Sequence, residues 1–464
     1  MSLRKGDTLD LEIDKMAYGG QGVGKVDGFV VFVRGAVPGD KLRARIFKKK
    51  RAYAHAVITE LISPSPDRVQ APCPYSGHCG GCQWQHVRYE RQLAYKKEHV
   101  KESVHHIAGL KQVVVHDTIP SEDQFHYRNK MEFSFSDRRW LLPEEMYKRE
   151  AEDGFALGLH VPGTFNKVID IESCLLQRET GNQILQEVKR LVKESQVPVY
   201  GLKSHEGFWR YLTVRHSRAM DEWMVNLVTS KARPEITQAL SESLCAKIGS
   251  IKTVVNNINA RQASIAVGER EIVLKGKGHI EDRIGAFHFR ISANSFFQTN
   301  TMAAHKLYQK VLDFAELAGG ERVLDLYSGT GTIPVFLAQR AEAVTGIEIS
   351  ESAVRDARRN CEANRIDNCR FICGDIREAL QGLGHRPDVL IIDPPRAGMH
   401  KDVLAQVLEL SPEKIIYVSC NPSTLARDLG EMMQDYSVVE IQPVDMFPHT
   451  YHIEAVGKLR RRKN

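Results

Sequence analysis

The chain has 464 residues, 42% of them hydrophobic and 26% charged, which is typical of a soluble globular protein with about two to four domains. No stretch approaches the ~20 apolar residues that span a bilayer, and the opening MSLRKGDTLDLEID lacks the pattern of a secretory signal. We therefore expect a cytoplasmic protein with no membrane partner, in which the nine cysteines are free thiols, metal ligands or catalytic groups rather than disulfides.

Residues 1–62 alternate apolar and polar side chains and place glycines at turns such as Gly19-Gly20, which predicts a small antiparallel β-barrel. The first 60 residues include twelve Lys or Arg and seven Asp or Glu, so they hold +5 of the net charge of +6. Runs of cations usually mark solvated loops, but here the charge concentrates at Lys48 to Arg51 and in the tail at 458–463. Such patches suit a polyanion, so we expect the barrel to supply affinity for a phosphate backbone rather than catalysis.

A Ser-Pro linker at 63–66 leads into CPYSGHCGGCQW, where three cysteines are spaced C-x5-C-x2-C. Cys73, Cys79 and Cys82 are separated by glycines and a proline that let the backbone fold around a common centre. A tetrahedral set of thiolates needs a fourth ligand, for which Cys174 in IDIESCLL is the best-placed candidate. Four thiolates suit either zinc or an iron–sulfur cluster, and the spacing does not choose between the two.

After the cysteines, a helix is predicted near residues 88–107, with one apolar face formed by Leu93, Val100, Val104 and Ile107. From about 125 to 285 the strand signals are frequent, as in KMEFSF, RYLTVRHS and IKTVVNNIN, with a helix near 182–195 between them. We therefore expect a β-rich central domain over residues 63–285 that contains the metal-binding cysteines.

Residues 286–464 alternate strand and helix, the pattern of a doubly wound α/β domain. In ERVLDLYSGTG a strand ends at Asp325 and a glycine loop precedes a helix, so the backbone can approach a ligand at the helix N-terminus. The loop lacks the G-x-G-x-x-G spacing of dinucleotide binders, which weakens a nicotinamide interpretation. The next two strands lead to Glu348 and Asp375, and this staircase of acids resembles the layout for S-adenosylmethionine in class I methyltransferases, with Glu348 at the ribose and Asp375 at the adenine.

The fourth strand of this domain ends in Asp393-Pro394-Pro395-Arg396, and a carboxylate held by a rigid turn beside a methyl donor can orient a flat substrate such as a nucleobase. The fifth strand, in EKIIYVSCNPS, leads to Cys420 at the edge where open α/β sheets bind ligands. A small buried residue is the ordinary interpretation of a cysteine. Its position at a strand end beside these acids favours a nucleophile instead.

Carbon 5 of uracil is a weak nucleophile that takes a methyl group only after a thiolate has added at C6. A base must then remove the C5 proton so that the thiol can leave. The sequence offers Cys420 as the nucleophile and Glu454, in FPHTYHIEAV, as the base, with His449 and His452 as the nearest alternatives.

The motifs C-x5-C-x2-C, NSFFQTN, DLYSGTG, DPPRAG, SCNP and FPHTYHIE together resemble those of the uracil-5 RNA methyltransferases that act on ribosomal and transfer RNA. The resemblance covers essentially the whole chain and implies a Rossmann-like class I methyltransferase domain, an OB-like TRAM barrel, and a helix near 88–107 that packs on the catalytic domain. It implies Cys420 as nucleophile, Glu454 as base, and contacts to the cofactor or the uracil by Gln298, Tyr327, Glu348, Asp375 and Asp393. It also implies a [4Fe–4S] cluster on Cys73, Cys79, Cys82 and Cys174.

Because the barrel and the cysteine cluster are typical of the ribosomal branch, we expect a monomeric enzyme that acts on 23S ribosomal RNA. Three other interpretations stay open. A transfer-RNA uracil-5 methyltransferase is disfavoured by the barrel and the cysteines, and a cytosine-5 enzyme by Arg396, where that family places a cysteine. A metal-stabilised RNA-binding protein with an inactive methyltransferase fold is disfavoured by Cys420 and Glu454, and loss of S-adenosylmethionine binding would revive it.

Overall fold

The computed structural model describes residues 3–146, 154–262 and 266–463, and within these ranges the strands form sheets of six, seven, two and eight strands. The six-stranded sheet forms an N-terminal β-domain, and the eight-stranded sheet is the centre of a C-terminal α/β domain. The predicted fold class is confirmed. No helix in the described ranges is both long enough and apolar enough to cross a bilayer.

The strands of the N-terminal domain are β1 (Thr8–Glu12), β2 (Lys15–Met16), β3 (Gly22–Val26), β4 (Phe29–Arg34), β5 (Lys41–Lys49) and β6 (Tyr53–Ser63). They lie in the order β1-β5-β6-β4-β3-β2, and only β4 and β6 are parallel. Alternate side chains are buried, such as Leu42 and Ala44 of β5, so each strand turns one face to a small apolar core.

The first helix, α1 (Tyr89–His106), and a short strand, β7 (Val114–Val115), follow the cysteine segment but pack with the C-terminal domain. Val100 and Val104 of α1 are fully buried in one of that domain's apolar cores. Ile107, predicted on the buried face, is instead 52% exposed. The reason is that the helix ends one residue earlier and the chain turns away through Gly109, at a φ of +71°.

The central domain is a seven-stranded sheet with helices packed against it. Its elements are β8 (Lys130–Ser136), β9 (Ala156–His160), β10 (Val168–Asp170), α2 (Glu179–Glu194), β11 (Trp209–Ser217), β12 (Glu222–Thr229), α3 (Pro234–Lys247), β13 (Ile251–Ile258) and β14 (Arg270–Lys275). The strand order is β10-β9-β8-β11-β12-β13-β14. Leu185 of α2 and Leu244 of α3 share one buried apolar cluster with Leu212 and Val225 of the sheet.

The C-terminal part begins with a hairpin, β15 (His279–Ile284) and β16 (Phe287–Ser292), followed by α4 (Thr301–Ala315). Ile280 and Phe289 of the hairpin are buried in a cluster that also contains Met224 and Val255 of the central sheet. The hairpin therefore joins the two domains. The predicted domain limit at residue 285 falls in its turn.

The remaining elements alternate: β17 (Arg322–Leu326), α5 (Thr332–Ala338), β18 (Ala343–Glu348), α6 (Glu351–Ala363), β19 (Cys369–Cys373), α7 (Ile376–Gln381), β20 (Val389–Ile392), α8 (Lys401–Leu410), β21 (Lys414–Ser419), α9 (Pro422–Met432), β22 (Tyr436–Val444) and β23 (Glu454–Arg461). They build a sheet in the order β19-β18-β17-β20-β21-β23-β22-β7. One apolar core contains residues of α4, α5 and α6, and a second contains residues of α1, α7, α8 and α9. The sheet is thus covered on both faces, as expected for a doubly wound domain.

Candidate active site

The candidate site lies at one edge of the eight-stranded sheet. The strands β19, β18, β17, β20 and β21 are parallel, so their carboxyl ends all meet at this edge. Residues that are far apart in the chain follow these ends, and an α/β sheet binds its ligands there because the loops leave a crevice. The edge brings together Asp325, Glu348, Asp393 and Cys420.

Two cavities that share one wall residue open at this edge. The five residues predicted to contact the cofactor all line these cavities. Gln298 and Asp393 line the smaller cavity, of about 30 Å³, and Glu348 and Asp375 line the larger one, of about 260 Å³. Tyr327 lines both. The sequence motifs from five separate segments therefore converge on one place.

The loop between β17 and α5 has a constrained backbone. Tyr327 has a φ of +67°, a left-handed conformation that is costly for a residue with a side chain and is concentrated at functional sites. Gly331 has a φ of +76°, and a Cβ there would lie 2.9 Å from the Phe371 ring, so glycine is required. Glu348 accepts a hydrogen bond of 3.1 Å from the Gly329 N–H. The loop is thereby tied to the end of β18 beside both cavities.

Asp325 is a buried acid at the smaller cavity, and the sequence marks it only as a strand end. Among the described residues, neither of its carboxylate oxygens has a hydrogen-bond partner. Burial, and after it the carboxylates of Asp393 and Glu348, raises the pKa of Asp325 well above its ordinary value. A cationic group bound here would favour the ionised form of Asp325, so Asp325 is a further candidate for ligand binding.

Asp375 borders the larger cavity but already has partners. It caps α7 by accepting a hydrogen bond of 2.9 Å from the Arg377 N–H, and it pairs with the Arg377 guanidinium. The side-chain hydrogen bond from Arg377 is the main cause that lowers the pKa of Asp375 to about 2. A ligand edge that reaches this carboxylate therefore shares it with Arg377.

Cys420 and Glu454 follow from two neighbouring strands. β21 and β23 are antiparallel, and Ser419 pairs with Ala455. Since Cys420 comes directly after β21 and Glu454 begins β23, the two residues meet at the end of this strand pair. Glu454 is only 6% exposed, whereas Cys420 is partly open to solvent. The candidate nucleophile and the candidate base are thus adjacent at this edge of the sheet.

The charges around Cys420 oppose one another. Burial raises the pKa of the Cys420 thiol to about 11; Glu454 and Asp393 add to the shift, and Arg396 acts against it. Burial also raises the pKa of Glu454 well above its usual value, and Arg396 acts to lower it. Burial raises the pKa of Asp393 to about 7. The Asn421 amide donates a hydrogen bond of 3.0 Å to the carbonyl oxygen of Arg396, which ties the Arg396 loop to the Cys420 strand end. Arg396 is therefore the cation that favours ionisation in this site.

The two alternative bases, His449 and His452, lie on the loop before β23. Burial is the main cause that lowers the pKa of each to about 4, so both imidazoles are neutral at pH 7. The His449 ring stacks on Phe125 with centroids 4.3 Å apart, and its Nδ1 lies 3.2 Å from the Gln92 amide. His449 is thereby fixed in the wall of the site by packing and hydrogen bonding.

The four cysteines of the predicted metal site line one cavity of about 60 Å³. The pKa of Cys79 and of Cys82 is raised to about 12, mainly by burial and to a smaller extent by the neighbouring cysteines. The Gly81 N–H donates a hydrogen bond of 3.3 Å to the Cys79 sulfur. In the parts of the chain that the structure describes, no three His, Cys, Asp or Glu residues are arranged as ligands of a single metal ion. The cavity gathers four thiols without forming a closed single-ion site.

The segment that follows the cysteines is hydrogen-bonded directly to residues 445–453, the loop between β22 and the candidate base Glu454, which we name the catalytic loop. Gln83 and Trp84, which follow the C-x5-C-x2-C motif, each donate a backbone N–H to the carbonyl oxygen of His449 at 2.9 Å. From α1, the Lys96 ammonium pairs with Asp445 at 2.5 Å, and both side chains are fully buried. Hydrogen bonds and a buried ion pair therefore connect the cysteine cavity and α1 to the loop that leads to the candidate base, Glu454.

The N-terminal domain presents an aromatic-basic face, formed by Phe32, Arg34, Phe47, Lys49 and Tyr53. The Phe32 and Tyr53 rings lie 5.6 Å apart, and the Arg34 guanidinium lies 4.7 Å from the Phe47 ring centroid. The adjacent run from Lys48 to Arg51 is exposed, and the described residues provide it with no salt bridge. Rings interleaved with free cations are typical of surfaces that bind single-stranded nucleic acid.

Known proteins are similar to this chain over nearly its full length. The tRNA (uracil-5-)-methyltransferase family model matches residues 88–462, and the TRAM domain model matches residues 3–59. An uncharacterised RNA methyltransferase of Chlorobaculum tepidum is 43% identical, over 99% of this chain and 97% of that protein. A second one, from Halalkalibacterium halodurans, is 37% identical over 98% of each.

Among solved structures, the Pyrococcus abyssi tRNA (uracil-54, C5)-methyltransferase in complex with S-adenosyl-L-homocysteine matches with a TM-score of 0.75 and 31% identity, over 97% of this chain and 100% of that one. The match to a tRNA enzyme covers nearly the whole chain, so the barrel and the cysteine segment do not count against a tRNA substrate, contrary to the expectation from the sequence. Family model, relatives and structure agree on the class of protein. The chain belongs to the tRNA (uracil-5-)-methyltransferase family of RNA methyltransferases and carries a TRAM domain at its N-terminal end.

Proposed function

We propose that this protein transfers a methyl group from S-adenosylmethionine to C5 of a uridine in 23S ribosomal RNA, through a covalent bond between Cys420 and C6. The pairing of Ser419 with Ala455 carries the proposal, because it brings Cys420 and Glu454 together, and both interact electrostatically with Asp393 in the wall of the smaller cavity. Family membership supports the reaction class, and this pair of side chains offers the nucleophile and the base that substitution at C5 needs.

The residues at the two cavities fit S-adenosylmethionine, which supplies an electrophilic methyl group when bound. Glu348 suits hydrogen bonds to the ribose hydroxyls, and Asp375 suits the adenine edge. The unpaired carboxylate of Asp325 suits the positive charge of the methionine portion, since it has no partner in the described protein. Gln298, Tyr327 and Asp393 line the same cavity as Asp325, so we assign them as further contacts of the methionine portion.

The reaction at the uracil uses the side chains in sequence. The Cys420 thiolate forms a bond to C6, and the electron pair of the C5–C6 double bond moves onto C5, C4 and O4 as an enolate. C5 then bonds to the methyl group of the donor as that group's bond to the sulfonium sulfur breaks, and the electron pair of that bond stays on the sulfur of S-adenosylhomocysteine. Glu454 takes the proton from C5, the double bond reforms, and the C6–sulfur bond breaks to return the thiolate. Asp393 orients the uracil ring, because its carboxylate is held in place by the rigid Pro-Pro turn.

The charges of the site suit these roles. Arg396 favours the thiolate of Cys420, because it lowers a pKa that burial has raised. A buried carboxylate with a raised pKa is a stronger base than an ordinary one, so Glu454 is suited to a carbon-bound proton. Both effects support Cys420 and Glu454 as a working pair.

We also propose that a [4Fe–4S] cluster is held by Cys73, Cys79, Cys82 and Cys174. The cavity fits this group, since it offers four thiols and backbone N–H groups that donate to sulfur. A cluster takes each thiolate on a different iron, so the sulfurs need not converge on one ion. Because methyl transfer involves no net oxidation or reduction, such a cluster would have a structural role: it would brace the cysteine segment and, through Gln83 and Trp84, the catalytic loop.

The TRAM domain, taken as residues 1–62, is proposed to hold the RNA backbone through the aromatic-basic face. The limits of the central and catalytic domains are proposed at 63–285 and 286–464, with α1 and β7 packed on the catalytic domain. The protein acts as a monomer, because one chain contains every group that the reaction uses. A second candidate substrate is transfer RNA, which the match to the Pyrococcus abyssi tRNA enzyme favours.

The deciding experiment compares 5-methyluridine in 23S ribosomal RNA and in transfer RNA from cells with and without this protein. We expect one or more 23S sites to lose the modification while transfer RNA keeps it. Loss confined to transfer RNA would establish the second candidate. An unchanged level in both RNAs would contradict both substrates.

The covalent step is tested with purified protein and RNA that carries 5-fluorouridine at the target. Fluorine at C5 leaves no proton to remove, so an RNA–protein adduct that resists denaturation should accumulate in the presence of S-adenosylmethionine. Absence of the adduct, together with normal methylation of ordinary uridine, would exclude the covalent mechanism.

A further inference from the structure

Tyr18, in the turn between β2 and β3, brings the N-terminal domain into the active site. Its ring packs edge-on against Tyr451 with centroids 5.5 Å apart, and against His99 of α1 at 5.7 Å. Tyr451 lies on the loop that leads to Glu454, and its ring is 4.3 Å from that of His452. A side chain of the TRAM domain therefore contacts the loop that precedes the proposed base.

The turn is held in this position. Gly20 has a φ of +83°, and a Cβ there would lie 3.3 Å from the Tyr451 ring and 3.4 Å from the Trp84 Nε1, so the backbone is packed closely on the catalytic domain. The His99 Nε2 lies 3.1 Å from the Met16 carbonyl oxygen, to which it can donate a hydrogen bond. The Met16 side chain is buried in a cluster with Trp84. The position of the turn is thus fixed by packing across the domain boundary.

The Tyr18 hydroxyl has no hydrogen-bond partner in the described part of the chain, although the residue is only 38% exposed. Burial raises the pKa of Tyr18 to about 12, with smaller effects from Tyr451, Cys420, Arg396 and Glu454. The phenol therefore interacts electrostatically with the proposed nucleophile and base. At neutral pH the hydroxyl keeps its proton and is a donor without a partner among the described residues, on a side chain that packs on the loop leading to Glu454.

We propose that the Tyr18 hydroxyl donates a hydrogen bond to a carbonyl oxygen of the uracil bound at Cys420, an inference that rests on the proposed function. Uracil offers O2 and O4 as acceptors, and O4 gains negative charge when the thiolate adds to C6. A donor fixed in advance orients the base before attack and stabilises the charge that develops afterwards. The TRAM domain then supplies a group of the active site in addition to affinity for RNA.

The first test is Tyr18→Phe, which removes the hydroxyl and keeps the ring contacts. At saturating RNA and S-adenosylmethionine, we expect single-turnover methylation to slow by about 10- to 100-fold, while RNA affinity stays within about twofold. Tyr200→Phe, which removes a phenol oxygen from the central domain, is the matched control and should keep the wild-type rate. A Tyr18→Phe rate equal to that of the wild type would overturn the proposal.

The second test separates a contact with the uracil from a packing role. Target RNAs with 2-thiouridine or 4-thiouridine each weaken one acceptor, because sulfur accepts hydrogen bonds poorly. If Tyr18 contacts one of these atoms, that thio-substitution slows the wild type more than it slows Tyr18→Phe. Equal slowing of both proteins by both substitutions would overturn the contact. A wild type that leaves ordinary uridine unmethylated would instead contradict the proposed function itself, so the two failures are distinguishable.

Discussion

Cys420 and the cysteines of the metal cavity share one electrostatic property and differ in their surroundings. Burial is the largest cause that raises the thiol pKa in both places, to about 11 for Cys420 and to about 12 for Cys79 and Cys82. The groups near Cys420 are two carboxylates and Arg396, whereas those near Cys79 are the other cysteines and a backbone N–H. A raised thiol pKa therefore does not distinguish a nucleophile from a metal ligand; the neighbouring groups do.

The difference follows from what each thiolate needs. Four thiolates in one cavity repel one another, so they ionise together only around a metal cation. A single thiolate beside a guanidinium can form transiently and attack a substrate. The comparison leads to five predictions that would break or sharpen it.

Cys420→Ala should abolish both methylation and the 5-fluorouridine adduct, because no other group replaces the attacking sulfur. The measurement is methyl transfer to RNA and adduct formation on denaturing gels. Cys245→Ala, which changes a thiol of the central domain outside the metal cavity, should behave as wild type. An adduct that persists in Cys420→Ala would place the nucleophile elsewhere and end the comparison.

Glu454→Gln should lower turnover by about 10²- to 10⁴-fold, because general base catalysis is lost after the methyl group has been transferred. Covalent RNA–protein species should then accumulate even on ordinary uridine, which a gel assay detects. Glu440→Gln, a change on β22, serves as the control. Turnover at the wild-type rate would require another base, with His449 and His452 as the nearest candidates.

Cys79→Ser should remove the metal and lower methylation by roughly 5- to 150-fold, since the cysteine segment supports the catalytic loop through Gln83 and Trp84. Wild-type protein purified without oxygen should be brown and contain about four iron and four sulfide per chain. Affinity for S-adenosylmethionine should be preserved, and Cys245→Ser should keep both metal and activity. A colourless wild type with one zinc, or full activity after metal loss, would contradict the proposal.

Arg396→Ala should slow methylation at pH 7 by about tenfold for each unit by which the pKa of Cys420 rises. Arg396 lowers the pKa of both Cys420 and Glu454, so its removal raises both values. The rising limb of the pH–rate profile should therefore move to higher pH. Arg396→Lys keeps the positive charge, so its pH–rate profile should lie between those of the wild type and Arg396→Ala. An unmoved profile in Arg396→Ala would show that this cation does not control the thiolate.

Changes on the TRAM domain should have the smallest effect, because the aromatic-basic face is proposed to hold RNA without reacting with it. Lys48→Ala and Lys49→Ala should each flatten the log–log salt dependence of RNA binding by ~0.7 to 0.9 if each cation neutralises one phosphate. Phe32→Ala should weaken binding without changing that slope, since stacking releases no counterions. Unchanged slopes would show that the basic run is not an RNA contact.

Much of the fold and of the candidate site could be predicted because the signals are local. The staircase of acids at Asp325, Glu348 and Asp375 follows from strands that each end within a few residues of an acid. The end of a helix is less certain: Ile107 fits the apolar period but lies beyond the last turn. Periodicity describes a helix while it lasts and does not say where capping stops it.

Other features of the site depend on residues that meet only in the folded chain. The carboxylate of Asp325 lacks a hydrogen-bond partner because of the residues that surround it in the folded chain, and the spacing of residues in the sequence does not reveal this. Lys96 and Asp445 are 349 positions apart and form a fully buried ion pair between α1 and the catalytic loop. A search for sequence patterns cannot predict this pair, because the residues around Lys96 do not indicate Asp445 as its partner, nor the reverse.

The sequence alone therefore determined the α/β class, and it supplied the candidate nucleophile and base, the candidate cofactor-binding strand ends and the four cysteines proposed to bind a metal, since each rests on residue types within a short segment. Only the tertiary structure decided which of these groups are neighbours, that Arg396 opposes the burial of Cys420, and that Tyr18 of the TRAM domain lies beside the catalytic loop. The physical reason is that burial and charge interactions depend on distances in space, and these distances are set only when segments that are far apart in the sequence pack together.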